Sequence, residues 1–169
     1  LTSRGVHPVL SRLLSSRGVT SRSLEESTLQ HLLPPSGLKD IDLACQVLMD
    51  ALTSGARITF AGDFDVDGCC GTAVAVRGMR LLSKACGFSD EQAQDRIRFI
   101  VPDRFKLGYG VSPELVDVIA QRDNPDLIVT IDNGISSIAG AKRAKERSIG
   151  LLISDHHLQG DELPDALAI

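Results

Sequence analysis

The chain has 169 residues, which at roughly 100–200 residues per domain means one domain, or one domain with a small appendage. Its 43% hydrophobic and 24% charged residues describe an ordinary globular chain and exclude the disordered, collagen-like, coiled-coil and disulfide-scaffold classes. The net charge of −4 lacks the strongly basic signature of a nucleic-acid-binding domain, and no apolar run approaches the roughly 20 residues of a membrane span. The amino terminus, with Arg4 and Arg12 among polar residues, has no signal-peptide core, so a cytoplasmic protein without membrane contact is expected. Leu1 in place of Met, and a chain running into Ile169 without a stop signal, lead to the further expectation of a piece of a longer protein.

Up to about residue 55 the signals are helical only. Arg4, Arg12, Arg17 and Arg22 precede the first acid, Glu25, and form either a solvated helix face or a nucleic-acid arm. A first helix is expected from His7 to Ser16 on the apolar Val9, Leu10, Leu13 and Leu14. A second is signalled by Ser23 with Glu26 three residues on, a capping box, and ends before the Pro34-Pro35 break. A third, from about Asp40 to Thr53, carries the stripe Ile41, Ala44, Val47, Leu48, Ala51 and Leu52, with Gly55 as its stop. Residues 1–55 therefore read as a helical amino-terminal segment.

From residue 56 short apolar runs alternate with helical stretches, the pattern of βαβ units. Strands are expected at Ile58–Gly62, Arg98–Val101, Leu127–Ile131 and Gly150–Ile153. Helices are expected at about Cys70–Ala85, Ser112–Arg122 and Ser136–Arg147, with Ser112 as a cap and Pro113 in the first turn. The fold class is α/β, a parallel sheet flanked by helices over residues 56–169. Cys45, Cys69, Cys70 and Cys86 show no metal-ligand spacing and are expected to be reduced and buried.

Each predicted strand ends in charge: Asp63, Asp65 and Asp67 after the first, Asp103 and Arg104 after the second, Asp132 after the third, and Asp155, His156 and His157 after the fourth. In an open parallel sheet ligands bind at the carboxyl edge, so these residues are expected to converge on one crevice. Alternation along an extended segment turns Asp63, Asp65 and Asp67 to one side, and their repulsion calls for a raised pKa, a basic partner or a cation. A divalent cation compensates best. The same residues open like an EF-hand loop, but position 12 of that loop is Val74 where a Glu is required. Oxygen ligands joined by imidazole suit Mn²⁺ or Mg²⁺ better than a structural zinc. There is no phosphate-binding Lys loop and no nucleophile elbow, which leaves metal-assisted attack of water on a phosphate ester.

Gly62-Asp63-Phe64-Asp65-Val66-Asp67-Gly68, Thr130-Ile131-Asp132-Asn133-Gly134-Ile135-Ser136-Ser137 and Ser154-Asp155-His156-His157 resemble motifs I, II and III of the DHH phosphoesterase superfamily. The segment Val101-Pro102-Asp103-Arg104-Phe105-Lys106-Leu107-Gly108-Tyr109-Gly110 resembles the RecJ branch, single-strand-specific 5′→3′ exonucleases of DNA repair and recombination. The resemblance covers essentially the whole chain. It implies a catalytic set of Asp63, Asp65, Asp67, Asp132, Asp155, His156 and His157. Asp63, Asp65, Asp67, Asp132 and His156 would hold two Mn²⁺ or Mg²⁺ ions, Asp132 between them, and Asp155 would orient the histidines. Arg104, Tyr109, Asn133, Gly134, Ser136 and His157 would contact the substrate, His157 at the scissile phosphate.

Two departures stand out: Phe64 where the family often has Tyr, and Cys69-Cys70 where small or hydroxyl residues are usual. The resemblance also implies that a motif IV aspartate, a DHHA1 domain and an oligonucleotide-binding domain lie beyond Ile169, which would leave the catalytic domain incomplete. Single-stranded DNA is the implied partner, with a helicase and a single-strand-binding protein as further candidates. The alternatives are another DHH phosphoesterase acting on short oligonucleotides or cyclic dinucleotides, and a non-catalytic DNA-binding scaffold. Apart from the resemblance, the loop from Pro102 to Gly110 reads either as an ordinary surface loop or as a cationic and aromatic surface for a phosphate and a stacked base.

Overall fold

A computed structural model describes residues 1–25 and 29–169. The chain separates into two compact units, Leu1–Gly37 and Leu38–Ile169. In the first unit, helix α1 (Pro8–Ser16) starts with Pro at its first position and with the His7 side chain accepting from the Val9 N–H, and a short α2 spans Ser21–Glu25. Thr20 and Ser23 exchange hydrogen bonds at the start of α2. The expected partner of Ser23, Glu26, lies outside the described residues.

The second unit is built on a four-stranded, all-parallel sheet in the order β2-β1-β3-β4, from β1 (Ile58–Gly62), β2 (Ile97–Ile100), β3 (Leu127–Ile131) and β4 (Gly150–Leu152). Helix α3 (Ile41–Ser54) opens this unit and ends on Gly55 in the left-handed region (φ 76°). The sequence reading set its division near residue 55. In the structure α3 goes with the sheet, because its stripe Ala44, Val47, Leu48, Ala51 and Leu52 packs on Ile58, Phe60 and Val129.

Alternation along the strands splits the core into two layers. Ile58 and Phe60 of β1 and Leu127 and Val129 of β3 face α3 and α4 (Val66–Ala85), whose Thr72, Val76, Met79 and Ser83 repeat at helical spacing. Ala61 and Ile128 face α7 (Pro113–Asp123) and α8 (Ile138–Glu146), meeting Leu115, Val116, Ile119, Ala141 and Ala144. Full burial of a side chain such as Ile58, Phe60 or Ile128 is worth about 1.5–3 kcal/mol. Close approach also matters: a Cβ on Gly140 would sit 1.8 Å from the Val111 carbonyl oxygen, so any side chain there would push α8 off the segment before α7.

Two short helices, α5 (Asp90–Arg96) and α6 (Arg104–Leu107), flank β2. At the other edge the last residues extend the sheet: Ala168 bridges Leu152 in parallel, and the Leu167 N–H donates to the Leu151 carbonyl. All four cysteines are free and exposed, contrary to the expected burial. Cys69 and Cys70 fall off the buried face of α4, Cys45 falls off that of α3, and Cys86 caps the end of α4. Among the described residues no helix is long and apolar enough to cross a membrane.

Candidate metal centre

The strand order decides where a ligand can sit. From β1 the chain moves outward to β2, then returns to β3 on the other flank of β1. The connection after β1 enters α4 on one face and that after β3 enters α8 on the other. Adjacent loops that diverge to opposite faces leave a crevice at the carboxyl ends of β1 and β3.

Motif residues fill both walls of that crevice. Asp63 follows β1 directly, its N–H donating to the Ile131 carbonyl at the end of β3 (3.1 Å) and its buried carboxylate accepting from the Phe64 N–H (2.8 Å). Asp65 is the N-cap of α4 and accepts from the Gly68 N–H. Gly68 is required here, since a Cβ would come within 2.7 Å of the Asp63 carbonyl oxygen. Asp67 lies in the exposed first turn of α4. Across the crevice, Asp132 adopts a left-handed backbone (φ 64°) and its N–H donates to the Ser154 carbonyl, tying the end of β3 to the segment after β4.

These residues form two groups with one member in common. Ligand atoms of Asp63, Asp65 and Asp132 lie within 4.8 Å of one another, and so do those of Asp132, His156 and His157. His156 Nε2 lies 2.8 Å from Asp132 Oδ1 and 3.7 Å from Asp67 Oδ2, which brings Asp67 to the same crevice. Asp132 is only 8% exposed, and its Oδ1 accepts no hydrogen bond despite the nearby imidazole. A buried carboxylate oxygen left without a donor is costly. The donor set fits a divalent cation: adjacent ligands of an octahedral ion with bonds of about 2.1 Å stand roughly 3 Å apart.

Asp155 has a different task. Its buried carboxylate accepts from the N–H groups of Ile135 (2.9 Å), His156 (2.8 Å) and His157 (3.1 Å), and it contacts His157 Nδ1 at 2.7 Å. Burial opposes its ionisation, but these donors, the Ile135 N–H foremost, hold it below the usual carboxylate range. The same contact raises the pKa of His157. Within the acidic cluster, desolvation raises Asp65, with Asp67 and Asp63 adding to it, while Asp67 is lowered by its own N–H and by Asp65.

The expected substrate residues are distributed unevenly. Tyr109 places its hydroxyl 3.3 Å and 3.4 Å from the two ring nitrogens of His157, and burial, then the surrounding carboxylates, raises its pKa. Arg104, at the start of α6, lies over Phe64. The amide nitrogen of Asn133 is committed to the Ala61 and Ile131 carbonyls, pinning β1 to β3. Gly134 (φ 112°) is buried against Thr130, and Ser136 is exposed. Lys106 pairs with Asp103 (3.4 Å).

Sequence reasoning missed Ser137, whose hydroxyl accepts from the Val111 N–H and anchors the Tyr109 loop, and Thr130, whose hydroxyl accepts from the Ser154 N–H. It also missed Phe64 as the seat of Arg104. Thr130 and Ser137 are the end residues of the second motif, which was the available signal; their partners Ser154 and Val111 lie far away in the chain.

Residues 57–169 match the model of the DHH family, N-terminal domain. The chain is 48% identical over 162 residues to the single-stranded-DNA-specific exonuclease RecJ of Salmonella typhimurium, a match that takes in 96% of this chain and 26% of that protein. Among solved structures it resembles a crystal structure of exonuclease RecJ bound to manganese (TM-score 0.64, 35% identity, 80% of this chain and 31% of the other). It also resembles RecJ of Thermus thermophilus in complex with Mn²⁺ (TM-score 0.62, 29% identity, 91% and 20%). The chain thus spans about a quarter of the length of the curated relatives it matches.

Proposed function

The chain belongs to the DHH family, and on that footing we propose that residues 56–169 are part of the catalytic domain of a metal-dependent exonuclease that degrades single-stranded DNA from its 5′ end. The observation that carries this reading is the pair of ligand groups that share the buried Asp132. The relatives support it, being single-stranded-DNA-specific exonucleases with structures that hold manganese. Cytoplasmic action in repair and recombination, with a helicase and a single-strand-binding protein as partners, belongs to the same proposal.

Asp63, Asp65, Asp67, Asp132 and His156 would hold Mn²⁺ or Mg²⁺, with Asp132 common to both groups. When bound there, two such ions would supply water activation at neutral pH and charge neutralisation for phosphodiester hydrolysis. Asp155 fixes the backbone of His156 and His157 and sets the His157 ring through Nδ1, which keeps both imidazoles aimed at the crevice. His157 faces the phosphate as a donor whose charged form Asp155 favours. Arg104 and Tyr109 present a cation and an aromatic ring at the crevice mouth, suited to a phosphate and an unpaired base.

The intact natural protein is expected to release nucleotides from 5′-phosphorylated single-stranded DNA with Mn²⁺, to stop on chelation, and to act poorly on blunt duplex. Equal rates on the duplex, or undiminished activity in chelator, would refute the proposal.

A further inference from the structure

Arg104 stands at the mouth of a crevice rich in carboxylates, yet it forms no ion pair among the described residues. Its guanidinium carbon lies 3.8 Å from the centre of the Phe64 ring and 5.4 Å from that of Tyr109. A guanidinium laid on an aromatic face is attracted by the ring quadrupole, and its N–H donors, which lie in its own plane, remain free. Pairing with a carboxylate would instead occupy that donor edge and cancel the charge. Arg104 is therefore held without being neutralised, the state in which a cation can still take an anion.

Phe64 is the residue that links this cation to the metal ligands. It sits between Asp63 and Asp65, and its N–H is held by the Asp63 carboxylate at 2.8 Å. Phe64 is 45% exposed and contributes to neither core layer. A large apolar ring outside the core, anchored by a candidate ligand and covered by an arginine, transmits the position of the first strand end to α6. Strand β2 separates these two segments in the chain, so no local geometry sets the distance between them.

We propose that Phe64 is a positioning residue: its ring seats the Arg104 guanidinium with the donor edge toward a phosphate of the single strand, in register with the metal centre. The proposal rests on the reading of Arg104 as a substrate contact. Tyr preserves the ring face and should substitute, whereas Leu preserves bulk but has no π face.

The test compares Phe64→Leu, Phe64→Tyr, Arg104→Ala and the Phe64→Leu/Arg104→Ala double variant in the intact natural protein, on a 5′-phosphorylated single-stranded oligonucleotide with Mn²⁺. Phe64→Leu should raise KM about 5- to 10-fold with kcat within about 2-fold, and Phe64→Tyr should restore KM. The double variant should be no worse than Arg104→Ala alone, and Mn²⁺ affinity and Tm should be unchanged in all. If Arg104→Ala impairs binding while Phe64→Leu does not, or if the two losses multiply, the positioning role is overturned and the substrate contact stands. Weakened Mn²⁺ binding in Phe64→Leu would overturn it by placing the effect in the ligands. An Arg104→Ala variant with normal KM and kcat would overturn both readings.

Discussion

Asp123 and Asp132 flank the same strand, and both are buried, but the fold treats them in opposite ways. At the end of α7, Asp123 is paired with Arg122, accepts from the Thr59 hydroxyl at 2.9 Å and lies 3.6 Å from Arg98. Past the end of β3, Asp132 has no arginine or hydroxyl partner among the described residues: its Oδ1 makes no hydrogen bond of good geometry, and its neighbours are the His156 imidazole at 2.8 Å and further carboxylates. The first carboxylate is a fastening between α7, β1 and β2. The second is held by its backbone, and its carboxylate meets an imidazole and other acids rather than an arginine. Burial alone would have classed them together; what separates the two is the inventory of donors, which suits the second to the ligand role proposed for it.

The sharpest way to break this comparison is Asp132→Asn. It should cut cleavage by about a thousandfold or more, roughly 4 kcal/mol in barrier, since an amide is a poor ligand to a hard cation. Its Tm should hold or rise, because one negative charge leaves an acidic cluster. A fall in Tm comparable to that of an Asp123 variant would make Asp132 a fastening too.

Asp123→Asn should show the converse. It takes the counter-charge from Arg122 and the second of two from Arg98, which keeps Asp95, and costs about 2 kcal/mol in urea denaturation, less than a fully buried pair because both arginines reach solvent. Metal affinity should be unchanged.

A smaller effect is expected from acid. Burial opposes ionisation of Asp123, but Arg122, the Thr59 hydroxyl and Arg98 hold its carboxyl below the usual range. A carboxyl whose pKa is lowered by folding contributes stability that is complete above its unfolded value near 4 and is lost as pH falls through the folded value. Urea midpoints between pH 6 and pH 2.5 should therefore fall less steeply for Asp123→Asn than for the unaltered chain. Parallel curves would mean that Asp123 is not the titrating fastening.

Much of the α/β unit was legible because its strands are short apolar runs and its helices announce their caps. Ser112 with Pro113 starts α7 as expected, and β1 and β3 match their predicted limits. Helix α5 was not read, because Ala93 is its one buried residue and no apolar stripe runs through Asp90–Arg96. Its capping box, Ser89 with Gln92, was the signal available. The start of α4 was placed at Cys70 although the helix begins at Val66, since the helix opens with Asp67 and Gly68 rather than with an apolar repeat.

The local elements and the chemistry at their ends are written in the chain, because periodicity, caps and acidic motifs are encoded within a few residues of one another. It marked Asp63, Asp65, Asp132 and His156 as kindred without saying how near they come. That was decided by strand order, which sets β1 beside β3 and makes Asp132 a neighbour of Asp63 and Asp65 across a long separation in the chain. Tertiary structure also supplied the donors that surround the Asp155 carboxylate, which the resemblance had given only as a role, and laid Arg104 on Phe64. Hydrogen-bond satisfaction and stacking depend on side chains that meet only after the sheet and its two helical layers have packed, and no spacing along the chain specifies them.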